Sequence, residues 1–197
     1  MSNFSLCYSK EKALPVFVSG ESGERFNVDA DFKTVLKIIK LFEDGQALQR
    51  HKTALALKWF YRDGGPGGLS EALDLLYEFI KEPDRSDGVL PKRGRGAEKQ
   101  FCYEFDAREI YASFLAEYGV DLLEAGFLHW FKFKIMLNNL SEDSAFAKKI
   151  RLRFIDLKDY KGEAYLKMSR AKRAAQLPVK YTAEEQRAIK EVLDKVK

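Results

Sequence analysis

Cysteine and histidine are scarce in this chain, and each shortage excludes something. Its 197 residues hold two Cys, two His and five Pro. Cys7 and Cys102 form no spaced pair, which argues against a disulfide framework or a cysteine-based zinc site and points to a reducing compartment. His51 and His129 stand in no metal-ligand spacing, and neither His-x-x-x-His nor Cys-x-x-Cys occurs. A lone His among aromatics is more often a hydrogen-bonded core residue than a catalytic base. The glycine-rich stretch from Gly64 to Gly68 lacks the Gly-Lys-Ser/Thr of a phosphate-binding loop, so it reads as a plain loop. Carboxylate pairs such as Glu184 with Glu185 and Asp156 with Asp159 lie among basic residues and read as solvated faces. Enzymatic chemistry finds no foothold, and no metal or cofactor is expected. No apolar run reaches the roughly 20 residues that cross a bilayer, and the N-terminus shows no basic flank before an apolar run, so a cytoplasmic protein without a signal peptide is expected.

Large planar side chains, by contrast, are abundant: fifteen Phe and nine Tyr, enough to build a core or an interface. Net charge is +4, but it is unevenly placed. From Ala147 to Lys197, fifteen Lys and Arg face seven Asp and Glu, so the residues before Ala147 are net acidic. This basic pole suits nucleic acid or an acidic partner.

Taken in order, Pro15 to Val18 and Arg25 to Val28 are short apolar alternations around Ser19 to Gly23, the pattern of a small β-hairpin. Asp29 or Asp31 caps a helix with Phe32, Val35, Leu36, Ile39 and Phe42 at helical spacing, ending near Asp44 and Gly45. A second helix is expected from Ala47 to about Tyr61 with a stripe of Leu48, Leu55, Trp59 and Phe60, and a third after Ser70 with Leu73, Leu76, Phe79 and Ile80. Residues 82–97 are polar, glycine-rich and locally basic, which predicts a mobile loop. Asp106 with Glu109 resembles a capping box for a helix carrying Ile110, Tyr111, Phe114, Leu115 and Tyr118 and stopping at Gly119.

The run from Glu124 to Leu140 is the expected centre. On a helix, Phe127, Leu128, Trp130, Phe131, Phe133, Ile135, Met136 and Leu137 cover nearly the whole circumference, so other elements must surround it. Ser141 is expected to cap a helix with Phe146, Ile150 and Phe154. A basic helix from Ala164 to Gln176 follows, and Thr182 with Glu185 opens a last amphipathic helix with Ile189, Val192, Leu193 and Val196 on one side. The fold class is therefore mainly α: a compact helical domain over residues 1–176 around a central aromatic-rich helix, with a small N-terminal β-hairpin and a basic amphipathic helix over 177–197 as an appendage. Nucleic-acid contacts would fall to Lys92, Arg93, Arg95, Arg170, Lys172 and Arg173, although the first three lack interleaved aromatic platforms and a solvated linker or face accounts for both groups better.

Three segments in the middle carry a resemblance: Ile110-Tyr-Ala-Ser-Phe114, Tyr118-Gly-Val-Asp-Leu122 and Leu128-His-Trp-Phe-Lys-Phe133. With Asp31 to Leu36, Phe60-Tyr61 and the Phe146 to Arg151 stretch, they make the chain similar to the gene-product-fifteen family of long-tailed bacteriophages and prophages of Gram-positive bacteria. The family pattern has a second tryptophan-like position after the histidine, and here it is Phe131. The resemblance implies a small helical phage protein that acts as a tail-assembly chaperone, holding the tape measure protein before tail-tube subunits polymerise. The implied partners are that protein and the major tail protein, with self-association as a further expectation. A cytoplasmic location in the host and absence from the mature virion also follow from it. The signature residues Tyr111, Phe114, Tyr118, Asp121, Leu122, Leu128, His129, Trp130, Lys132 and Phe133 are expected to be structural first. By elimination, His129 and Lys132 have the better claim to a surface role, together with the apolar side of the last helix.

Overall fold

The computed structural model describes residues 14, 16–45, 47–81 and 100–178. The fold is mainly α with a small antiparallel hairpin. Its elements in chain order are β1 (Phe17–Ser19), β2 (Arg25–Asn27), α1 (Phe32–Glu43), α2 (Gln49–Phe60), α3 (Leu69–Lys81), α4 (Ala107–Tyr118), α5 (Trp130–Asn138), α6 (Ala145–Phe154) and α7 (Gly162–Ala175). The described residues up to Ile80 form one compact unit and those from Lys81 to Leu177 another. The segment expected to be a mobile loop and the last amphipathic helix, with Ile189, Val192, Leu193 and Val196, lie outside the described residues. Among the described residues no helix is long and apolar enough to cross a membrane.

In the first unit, β1 and β2 pair with Val18 opposite Phe26. Gly23 turns the hairpin at φ 83°, a conformation open to glycine without a Cβ penalty. The strand continues into Val28, which bridges to Tyr61 at the end of α2. Both candidate caps of α1 are used: the Asp31 carboxylate accepts from the Lys33 amide at 2.7 Å, while Asp29 accepts from the Asp31 amide at 3.1 Å and the Thr34 hydroxyl at 3.1 Å. α1 buries Phe32, Val35 and Ile38, and α3 buries Ala72, Leu76 and Phe79. Phe60 stands edge-on to Phe79 with ring centroids 5.3 Å apart.

The stripe expected on α2 is corrected. Leu48 precedes the helix and is exposed, as is Leu55, while Lys52, Thr53, Ala56 and Phe60 are buried. The reason is that the Lys52 ammonium donates to the carbonyl of Asp44 just past the end of α1, which turns that side of α2 inward.

In the second unit, the central helix is shorter than expected. It begins at Trp130, and residues 121–129 form turns and extended chain. Two local devices displace the helix: Asp121 accepts from the amides of Leu123 and Glu124 at 2.9 and 3.2 Å, a turn that competes with helix, and His129 supplies the N-cap. The shorter helix is nonetheless enclosed on most sides, burying Trp130, Phe131, Phe133, Lys134 and Leu137. Phe127, outside it, is exposed. The cap of α6 is Ser144, whose hydroxyl accepts from the Ala147 amide at 3.0 Å; Ser141, the expected cap, instead bonds Glu117 through both its amide and its hydroxyl. Phe146 and Ile150 on α6 are buried, whereas Phe154 is exposed.

Candidate functional site

The segment from Phe101 to Leu140 carries all ten signature residues, and the structure gives most of them a mechanical role. α4 stops at Gly119, which is left-handed at φ 61°; its amide donates to Leu115 O at 3.1 Å and that of Val120 to Phe114 O at 3.3 Å. The chain then turns on Asp121, whose second carboxylate oxygen accepts from the Tyr111 hydroxyl at 3.0 Å. Tyr118 reaches across to α5 and donates to Met136 O at 2.9 Å. Phe133 stacks between Phe114 and Trp130, with centroids at 5.2 and 5.7 Å. Leu122 and Leu128 are buried at either end of the connection. The signature is thus a helix, turn, helix unit in which aromatic stacking sets the spacing and two tyrosine hydroxyls fix the register.

His129 does not occupy the surface position expected of it. It is buried, and its Nδ1 accepts from the Phe131 amide at 3.1 Å, satisfying one of the unpaired donors at the start of α5. Lys132, on the same helix, is exposed. Lys134 is buried, with its ammonium 5.7 Å from the centre of the Trp130 ring.

A buried ionic network was missed at the sequence level. Asp106, expected as a cap, makes no side-chain cap bond to α4. Its carboxylate faces Arg153 of α6, with Nη2 at 2.8 Å from Oδ1 and Nη1 at 3.2 Å from Oδ2, and it also accepts from the Cys102 amide at 2.9 Å. Lys149, one turn before Arg153, lies 3.0 Å from Asp106 and 2.8 Å from Glu109. The guanidinium further donates to Ala175 O at 2.7 Å, at the end of α7, and to Gln100 O. One arginine therefore joins the segment before α4, α6 and the last turn of α7. Burial works to raise the Asp106 carboxyl, but hydrogen bonds from Arg153, the Cys102 amide and Lys149, with the charge of Arg153, outweigh it and hold it below the usual carboxylate range. Its only sequence signal was a basic residue at a position of α6 that helical spacing places beside Ile150 and Phe146.

Ser113 adds a second tie to α6: its hydroxyl donates to Glu109 O at 2.7 Å and accepts from the Phe146 amide at 3.1 Å. Elsewhere in this unit, the bond to Asp121 raises the Tyr111 hydroxyl, and burial, then Glu117, raises that of Tyr118.

Of the basic candidates, Lys92, Arg93 and Arg95 lie outside the described residues. Arg170 and Arg173 are exposed on α7, while Lys172 donates to Ile155 O at 2.8 Å and is half-buried. Among the described residues no group of three His, Cys, Asp or Glu side chains is arranged to hold a metal ion.

A small helical scaffold tied together by stacked rings and one buried ion network is the class of protein that this geometry defines. The chain belongs to the bacteriophage family described as Bacteriophage Gp15 protein, whose model matches residues 14–177. The match takes in every described signature residue. No curated protein and no solved structure matches the chain.

Proposed function

We propose that this phage protein is a non-enzymatic assembly factor that masks apolar stretches of the tape measure protein before tail-tube subunits polymerise around it. Membership of the Gp15 family carries the reading. It is supported by large apolar side chains left exposed along α3 and in the connections of a mainly helical scaffold, among them Leu48, Leu69, Tyr77, Leu123 and Phe127. A tape measure is a long, largely helical chain with apolar stripes that aggregate unless covered. Repeated helix-in-groove contacts, each weak enough for tail-tube subunits to displace, meet that need. The partners are then the tape measure and, at hand-over, the major tail protein, in the cytoplasm of the host.

Two measurements test the reading against its rivals. Apolar contacts persist as salt rises, whereas binding of nucleic acid through the basic face of α7 weakens by orders of magnitude between low and moderate ionic strength. Mass spectrometry of purified virions is expected to find the protein absent; many copies per particle would make it a structural tail component instead.

A further inference from the structure

Of the fourteen residues of α7, only Ala175 is buried. All six from Gly162 to Lys167 are exposed. The bonds that tie the helix to the end of α6 lie in and just after its second half: Lys172 to Ile155 O at 2.8 Å, Arg153 to Ala175 O at 2.7 Å and Gln176 to Arg153 O at 3.1 Å. The outward stripe reads Glu163, Leu166, Arg170 and Arg173, at intervals of three and four that put all four on one face. Leu166 at its centre is 56% exposed.

A matching stripe lies on α3. Asp74, Tyr77, Glu78 and Lys81 are all exposed, with Tyr77 at 66%. Among the described residues none of Glu163, Arg170, Arg173, Glu78 and Lys81 has an ion-pair partner, and the Asp74 side chain has only the Ser70 hydroxyl at 3.4 Å. The order of charge along the chain is the same on the two helices, acidic first and basic last. Laid antiparallel, Glu163 faces Lys81 and, about 10 Å further along both axes, Arg170 faces Asp74. Leu166 then falls beside Tyr77 and Glu78.

We infer that α7 of one copy docks antiparallel on α3 of a second copy, Leu166 packing against Tyr77 between paired charges. Both halves of the complementary surface occur in one chain at equal spacing, which favours a second copy over a foreign partner. Each copy carries one face of each kind, so every copy offers two such contacts. A single helix pair covers less than the roughly 1,200 Å² of a stable interface, so association is weak and rises with concentration. Its charged flank makes it salt-sensitive.

Sedimentation velocity on the full chain tests this. Wild-type mass is expected to rise with concentration and to fall back in high salt. The reversals Arg170→Glu/Arg173→Glu and Asp74→Lys/Glu78→Lys, each confirmed as folded by circular dichroism, are each expected to weaken self-association at least about tenfold. An equimolar mixture of the two restores it, because the reversed α7 of one then matches the reversed α3 of the other. Leu166→Ser, which leaves charge alone, weakens association as well. A wild type that stays monomeric at every concentration overturns the inference, as do reversals without effect or a mixture that does not recover. If instead the α7 reversal abolishes binding to duplex DNA while mass is unchanged, the face belongs to nucleic acid.

Discussion

Arg153 and Asp106, 47 residues apart, meet through two charge-assisted hydrogen bonds with both side chains almost wholly out of water. Because the guanidinium also holds carbonyls at Gln100 and Ala175, this one pair fixes how three stretches of the second unit close on each other. A buried pair of this kind is worth little against an apolar replacement, yet breaking it strands a charge.

The single substitutions Arg153→Met and Asp106→Leu are therefore expected to cost about 3–5 kcal/mol each in denaturant unfolding followed by circular dichroism. Arg153→Met combined with Asp106→Leu is expected to cost less than the sum of the two, because neither partner is then left charged alone. An additive pair would mean that the two do not interact.

The same carboxylate makes stability depend on acid. Asp106 has its carboxyl held below the ordinary value, so its contribution is fully present above the unfolded-state value of about 3.9 and is lost as pH falls through the lower, folded one. Unfolding free energy is expected to drop below about pH 4. In Asp106→Asn that part of the acid dependence is absent, and an unchanged pH profile would contradict the assignment.

At the other end of the scale stands Tyr61, whose hydroxyl donates to Ala72 O at 3.0 Å. Burial, then Glu71, raises it from 10.0 to about 12. A raised value favours the protonated form in the folded state, so the stability it adds is present below pH 10 and is lost between 10 and 12. Ultraviolet titration is expected to show a tyrosine ionising near 12 that disappears in Tyr61→Phe, at a cost of about 1 kcal/mol for the lost bond.

Packing around that ring is close. A Cβ on Gly65 would meet three Tyr61 ring carbons at 2.8, 2.9 and 3.0 Å. The hydroxyl bond to Ala72 O limits how far the ring can yield, so Gly65→Ala is expected to cost about 1–3 kcal/mol. In Gly67, where a Cβ meets nothing within 4 Å, the same change is expected to be silent in thermal unfolding.

Trp130 and His129 separate packing from capping at one helix end. Trp130, 1% exposed and stacked on Phe133, is expected to cost about 3–5 kcal/mol when cut to Ala. His129→Ala removes the cap of α5 and is expected to cost about 1 kcal/mol, whereas His129→Asn keeps an acceptor in place and restores most of it. Equal losses in the Ala and Asn variants would show that the imidazole acts through packing.

Local chemistry was legible in the sequence. Asp31 before an apolar stripe and Gly119 after one set real boundaries because caps are decided within four residues. The enclosed aromatic centre was legible too, since no helix apolar on most sides can face water. What the sequence hid depends on partners far along the chain. Arg153 sits in a basic tail and reads as solvated until Asp106 is brought to it. Lys52 reads as the polar side of α2 until Asp44 O is placed above it. Composition likewise carried the centre of α5 but not its start, because the turn at Asp121 and the cap at His129 compete with helix where the apolar pattern favours it. Among the site residues, the signature was readable as a set. Its division into stacking rings, register bonds and a cap was not.

The role proposed for this protein is to keep an aggregation-prone phage chain in solution. The most direct test is the soluble fraction of the neighbouring tape measure protein, expressed alone and together with the full chain. An insoluble tape measure alone and a soluble complex of the two together are expected. A tape measure equally soluble without it, or equally insoluble with it, would overturn that role.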